Sequence, residues 1–239
     1  KDIWKRLIIR EINHEILIHL DLFIDDPDIE YILNVEIHNL FNELNTISKK
    51  NNYNIYSFSY LIFRPDNVID DIYYFHGNKF FKFDFNFKDK KYEIFFKSSS
   101  IFNTNYHVLT DIYNSIYYII KELKYKNLLI LDDNNGLISL LLSHVYNNIY
   151  CFFSRKNYSE CFLETTKKYN NIYKKDIIDL HDYINNNNII ILNASQNGID
   201  KKIIDLLFNN NIKYILYIST KINSFHDDLK LLKKYSIKY

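Results

Sequence analysis

Glycine is almost missing from this chain, with three in 239 residues, and proline and cysteine occur only twice each. Average usage is about 7% for glycine and about 5% for proline. So few glycines exclude a glycine-rich loop, because only residues without a Cβ let a backbone turn tightly and lie close to a phosphate. Two cysteines in an aromatic, apolar stretch, Cys151 and Cys161, lack the paired spacing of a metal site and read as buried thiols. Methionine is absent, even at position 1, which points to a processed or incomplete chain with any targeting segment outside it. No apolar run approaches the roughly 20 residues of a membrane-spanning helix, so no membrane contact is expected. An excess of charge is missing too: 30 Lys and Arg stand against 29 Asp and Glu. No overall field therefore draws the chain to nucleic acid, and any RNA contact must be local. Arg6, Arg10, Arg64 and Arg155 supply the guanidinium groups, so most cations are lysines that meet phosphate as point charges.

What is abundant is apolar and aromatic. Hydrophobic residues make up 47% of the chain, with 22 Tyr and 18 Phe, enough to bury one large core or two small ones. Ile, Asn, Lys and Tyr are plentiful, as in translation from an AT-rich genome. Asparagine clusters such as Asn185 to Asn188 are read as loop drift.

The pattern divides near residue 105. Alternation from Ile8 to Asp21 predicts a half-buried strand, which Asp25, Asp26 and Pro27 stop. Apolar residues at three- and four-residue steps predict a helix over Asp28 to Leu44. Aromatic-rich strands are expected at Tyr53–Phe63, Ile72–Phe75, Phe80–Phe87 and Lys91–Phe96, with a turn at His76-Gly77-Asn78. Residues 1–105 thus read as a small α+β subdomain.

Residues 106–239 alternate instead. A helix over Asp111–Leu123, with Ile112, Ile116, Ile119 and Ile120 on one side, leads to a strand at Leu128–Leu131. Further strands are expected at Ile149–Phe153, Ile189–Leu192 and Tyr214–Ile218, separated by helices at Leu137–Tyr146, Tyr158–Tyr169 and Lys201–Asn209. Such a series predicts an α/β fold with a mostly parallel, Rossmann-like sheet. Ligands of such sheets bind beyond the carboxyl ends of the strands, so four loops carry the functional information. After the first strand, Asp132-Asp133-Asn134-Asn135-Gly136 holds one glycine where a nucleotide loop has several. After the second, Phe153 stands where a ribose-binding acid is usual, and Ser154 is a poor substitute.

Three segments, in order and spacing, are similar to motifs of one family. Lys97-Ser98-Ser99-Ser100-Ile101-Phe102-Asn103-Thr104-Asn105 looks like S-P-G-S-F-F-Q-V-N, and Asn193-Ala194-Ser195-Gln196-Asn197-Gly198-Ile199-Asp200 looks like D-P-P-R-x-G-L-D. The stretch from Tyr217 to Leu229 resembles Y-V-S-C-N-P-x-T-L-A-R-D-L. The family is that of the uracil-5 RNA methyltransferases, which modify tRNA and ribosomal RNA with S-adenosylmethionine. The resemblance runs from about Ile8 to the end, without the RNA-binding barrel that precedes this part in many members. The family's final segment, with its proton-abstracting Glu, would fall beyond Tyr239.

The resemblance implies a degenerate member. In the family a cysteine thiolate adds to carbon 6 of the uracil, and here that position is Thr220. A hydroxyl is far less acidic than a thiol, and His226, the nearest imaginable base, reads as an ordinary polar helix residue. Asn193 replaces the substrate-loop Asp, Gln196 its Arg, and Asn103 the cofactor-binding Gln. Asp176, Gly136, Gly198, Ser219 and Asp228 are kept, as vestigial cofactor positions or as scaffold.

The expectation is therefore a pseudoenzyme without catalytic residues or bound cofactor, kept as a structural or RNA-associated subunit of a larger assembly. A ribosome, mitochondrial or of another organelle, is the first candidate, with ribosomal RNA and neighbouring proteins as partners. Lys201, Lys202, Lys213, Lys221, Lys230, Lys233, Lys234 and Lys238 form a candidate phosphate-facing patch, and the surplus aromatics candidate base-stacking surfaces. The alternatives are an active methyltransferase using S-adenosylmethionine, and a protein-interaction module without RNA.

Overall fold

The computed structural model describes residues 3–64, 73–100, 106–123, 125–154, 159–185, 188–210, 212–232 and 235. They form two compact units, one of residues 1–83 with 96–104 and the other of 84–95 with 105–239.

The first unit is built on a four-stranded sheet in the order β1-β2-β3-β4. The single strand expected at Ile8–Asp21 is a hairpin, β1 (Trp4–Ile12) and β2 (Glu15–Phe23). Asn13 and His14 both take positive φ, 53° and 65°, the two-residue turn whose twist matches that of its strands. Asn and His tolerate that region better than most side chains, so the turn forms without the glycine that would have announced it. Pro27, with φ preset for a first helical position, opens α1 (Pro27–Lys50), which runs two turns past Leu44. The helix links β2 to β3 (Asn54–Phe63), which pairs with β2 in parallel and with β4 (Tyr73–Gly77) antiparallel. Leu33, Ile37 and Phe41 of the helix close over Ile18, Leu20, Leu22, Phe58 and Ile62 of the sheet.

The hairpin of β5 (Phe81–Phe87) and β6 (Lys90–Phe96) turns at Lys88 and Asp89, again with positive φ at both. The second unit follows with α2 (Tyr106–Lys121), β7 (Asn127–Leu131), α3 (Leu137–Leu142), β8 (Asn148–Phe153), α4 (Ser159–Thr166) and β9 (Ile172–Asp176). After a 3-10 turn at Ile177–Asp179 come α5 (Leu180–Tyr183), β10 (Asn188–Asn193), α6 (Lys201–Asn209), β11 (Tyr214–Ile218) and α7 (Ile222–Leu231). The five strands pair in parallel in the order β11-β10-β7-β8-β9. β7 and β10 are buried on both faces, which is why they read as unbroken Leu and Ile runs. Leu129, Leu131, Phe152, Ile190 and Leu192 pack with Leu180 and Leu207 on one face, and burying each contributes about 1.5–3 kcal/mol.

Several helical expectations change, two of them where the helix packs. The α3 helix ends at Leu142, well before Tyr146, whose hydroxyl turns back to the Ile120 carbonyl. On α2, Ile116 and Ile120 are buried, but Ile112 and Ile119 are 39% and 52% exposed, so the core face is narrower than four isoleucines suggested. No helix among the described residues is long and apolar enough to cross a membrane.

Candidate functional site

The chain leaves β7 through a tight loop. Asp132 takes φ 58°, and Asn134 N–H and Gly136 N–H donate to the carbonyls of Asp132 and Asp133. Asp133, 2% exposed, accepts from Ile138 N–H at 3.3 Å, Ser139 N–H at 2.8 Å and the Ser139 hydroxyl. The first turn of α3 thus has its otherwise unpaired donors filled by the chain's own carboxylate. Burial pushes that carboxyl up to about 6, and the hydrogen bonds from Ser139, Ile138 and Gly136 hold it down only in part. The thiol of Cys151, 3.0 Å from the Ser139 oxygen, is also pushed up by burial and is no nucleophile.

Gly136, the loop's one glycine, has a packing role. Its φ is 78°, and a Cβ there would lie 2.8 Å from Thr166 Cγ2 and 3.4 Å from Phe162, so glycine lets α4 approach.

At the end of β8, Phe153 is buried with its ring 5.0 Å from Phe162. The next residue bridges strands: Ser154 donates its N–H to Asp132 Oδ1 at 2.9 Å and its hydroxyl to Oδ2 at 2.8 Å. From β10, the half-buried Asn193 donates its side-chain amide to the Asp132 carbonyl at 2.8 Å. Asn193 therefore spans β10 and β7, the neighbours between which the strand order reverses and where ligands of such sheets sit. Asp132 is the hub of these contacts. Sequence reasoning missed it, since its partners lie 22 and 61 residues away and meet only through the sheet.

The remaining candidates scatter. Asp176 ends β9 exposed, without a capping hydrogen bond to the turn that follows. Thr220 is exposed in the loop after β11, where Ser219 closes a short turn by accepting from Lys221 N–H and donating to the Lys221 carbonyl. His226 is exposed on α7, and among the described residues no hydrogen bond joins it to Thr220. Asn103 lies outside the described residues. The kept residues Gly198 and Asp228 are one device: Asp228 is buried and accepts from Ile199 N–H at 2.8 Å and from the Tyr217 hydroxyl. A Cβ on Gly198 would fall 2.7 Å from that carboxylate. Asp200 caps α6 by accepting from Lys202 N–H at 2.8 Å. Lys201, Lys202, Lys213, Lys221 and Lys230 are all exposed, Lys230 paired with Asp227, while Lys233, Lys234 and Lys238 lie outside the described residues. Among the described residues no three His, Cys, Asp or Glu side chains are grouped to hold a metal ion.

A second polar cluster, unforeseen in the sequence, lies in the first unit. His19 of β2 is 1% exposed; its Nδ1 is 2.8 Å from the Ser59 hydroxyl, which meets that of Ser98. Its Nε2 lies 3.2 Å from Asp21 Oδ1, without hydrogen-bond alignment. Arg6 donates to the other Asp21 oxygen, and Arg10 donates to the carbonyls of Ser98 and Ser100. Burial holds the imidazole neutral, well below its usual 6.5, against the opposing pull of Asp21.

Five parallel strands in this order with helices between them make the second unit a Rossmann-like α/β sheet, similar in fold to solved methyltransferases. The tRNA (uracil-54, C5)-methyltransferase of Pyrococcus abyssi, solved with S-adenosyl-L-homocysteine, aligns with 97% of this chain at a TM-score of 0.61 and 15% identity. The chain spans 54% of that protein's length. Trm5b of Pyrococcus abyssi aligns with 90% of this chain and 62% of its own length, at a TM-score of 0.51 and 10% identity. At these identities the likeness establishes the fold. No protein-family model and no curated protein sequence matches the chain.

Proposed function

We propose that this chain is a catalytically inactive, methyltransferase-like protein that associates with RNA as a structural subunit of a larger assembly. A ribosome, mitochondrial or of another organelle, is the first place to look. One observation carries this reading: the groups at the carboxyl ends of β7, β8 and β10 bond to one another. The Asp132 carboxylate takes both donors of Ser154, and the Asn193 amide takes the Asp132 carbonyl. A sulfonium cofactor would need those groups for its ribose and amino acid parts, and Phe153 offers no acceptor in their place. On this reading these groups serve one another and are not held open for S-adenosylmethionine.

The uracil chemistry lacks support for the same kind of reason. Covalent addition needs a nucleophile ionised near neutral pH or a base beside it, and Thr220 is an exposed hydroxyl in a loop. What supports the RNA partner is the fold shared with a tRNA methyltransferase.

Calorimetric titration of the purified chain with S-adenosylmethionine should give no heat of binding, and incubation with labelled donor and uridine-containing RNA should give no transfer. Micromolar binding, together with transfer abolished in Thr220→Val, would establish the rival reading, an active uracil-5 methyltransferase. The assembly is tested by gradient sedimentation: the chain should travel with RNA-containing particles and leave them after nuclease treatment.

A further inference from the structure

We propose that the turn of the β5–β6 hairpin and the last turns of α2 form a docking surface for single-stranded RNA. It stacks a base on Tyr118 and takes the flanking phosphates on Lys88 and Lys121. The inference rests on the RNA association proposed above and names the surface that serves it. The hairpin's two-residue turn, with φ of 47° at Lys88, lays the Lys88 ammonium 3.5 Å from the Tyr117 ring centre and 3.9 Å from that of Tyr118. Lys121, one turn along from Tyr117, places its ammonium 4.9 Å from the Tyr118 ring. Tyr117 is itself fixed edge-on against Phe87 at 5.8 Å, so the platform has a rigid base.

Two ammonium groups are thus gathered around the same two rings. Among the described residues neither has a carboxylate partner. Ring faces orient a cation without neutralising it, so the local charge remains available to an anion. Tyr118 meanwhile is 53% exposed with both ammonium groups over its ring, so a base that stacks there displaces a lysine from the ring onto the flanking phosphate. A polyanion that carries planar rings matches both features, whereas an acidic peptide uses only the first. A further tyrosine cluster, Tyr150, Tyr173 and Tyr183, lacks this combination, since the Lys175 ammonium over its Tyr183 ring also feels the charge of Asp179.

The test is fluorescence-anisotropy titration of the full chain with a labelled oligouridine across a range of salt. Tyr118→Ala should weaken binding by roughly fivefold to a hundredfold, the range for losing one stacked base, while Tyr118→Phe should stay within about twofold. The double variant Lys88→Gln/Lys121→Gln should lower the slope of log affinity against log salt by about 1.4, from roughly 0.7 for each phosphate contact on a single strand. Circular dichroism of each variant checks that the fold is kept. If the parent binds and all three variants bind as it does, the surface is wrong and the RNA association stands elsewhere. If the parent binds no oligonucleotide at low salt, both fall. If polyglutamate competes as well as RNA, the surface reads charge alone and the assignment to RNA is overturned.

Discussion

The two units bury polar groups in opposite ways. In the first, an imidazole, a carboxylate and two serine hydroxyls lie on a sheet face, joined by two guanidinium groups that reach in from β1. In the second, both sheet faces at β7 and β10 are apolar, and Asp133, just past the end of β7, is buried against the start of α3. The consequence is an opposite response to acid. His19 is held neutral below its usual 6.5, so its contribution is fully present above about pH 6.5 and is lost as the pH falls toward about 4. Asp133 is raised from 3.8 to about 6, so its contribution is fully present below about pH 3.8 and is lost as the pH rises through about 6. A polar sheet face is stabilised by neutral solution, and a buried end-of-strand carboxyl by acid.

The largest expected effect tests the first half of that contrast. Asp21→Ala removes the buried carboxylate between His19 and Arg6; the Arg6 side chain is 60% exposed and stays solvated, so the loss is that of a charge-assisted hydrogen bond, about 1.5–3 kcal/mol. Urea unfolding at pH 7 should show that loss, and a change below about 1 kcal/mol would mean the cluster is not organised around Asp21. Next in size is Asp133→Asn. The shift from 3.8 to about 6 corresponds to roughly 3 kcal/mol of strain at neutral pH, an upper bound on what the variant can recover. Asparagine keeps one oxygen to accept from Ser139, while its amide nitrogen meets the longer Ile138 contact, so the variant should recover only part of that bound at pH 8 and lose the advantage by pH 4. Amide exchange then sharpens the comparison. From pH 7 to 4.5, after correction for intrinsic rates, protection should fall in β2 and β3 and rise in β7 and β10. Movement in one direction throughout would show that the two clusters do not govern their own units.

How much of this was legible depended on whether a feature is local. The alternation of strand and helix after residue 106 was readable because β7 and β10 are continuous apolar runs, and that pattern alone gives a parallel sheet. The β1–β2 hairpin was not readable, since Asn13-His14 carries no glycine and the apolar alternation passes straight through it. The α2 face was misjudged because periodicity shows that a stripe exists and not how wide the covering surface is, which left Ile112 and Ile119 in solvent. At the site, Phe153 and Thr220 could be compared with a motif one by one, whereas the Asp132 hub exists only once the sheet has assembled. The buried His19 was equally hidden: inside an alternating strand a histidine looks like an outward polar residue, and only Ser59, 40 residues on, shows otherwise.

The smallest expected effects bear on whether the strand-end bridge is structure or a relic of a binding site. Ser154→Ala removes one hydroxyl hydrogen bond to Asp132 and leaves the backbone one, which should cost about 0.5–1.5 kcal/mol. Asn193→Ala should cost a similar amount, since the Asp132 carbonyl loses a half-buried donor. Because both bonds end on Asp132, the double variant should depart from the sum of the singles by at least about 0.5 kcal/mol. Groups retained only as remnants of a cofactor pocket would be free to re-pair with solvent, and their substitutions would then be neutral and additive. A measurable coupling in a double-mutant cycle would mark Asp132 as a fold-holding residue of the second unit, a counterpart at the sheet's end to what Asp21 is on the first unit's sheet face.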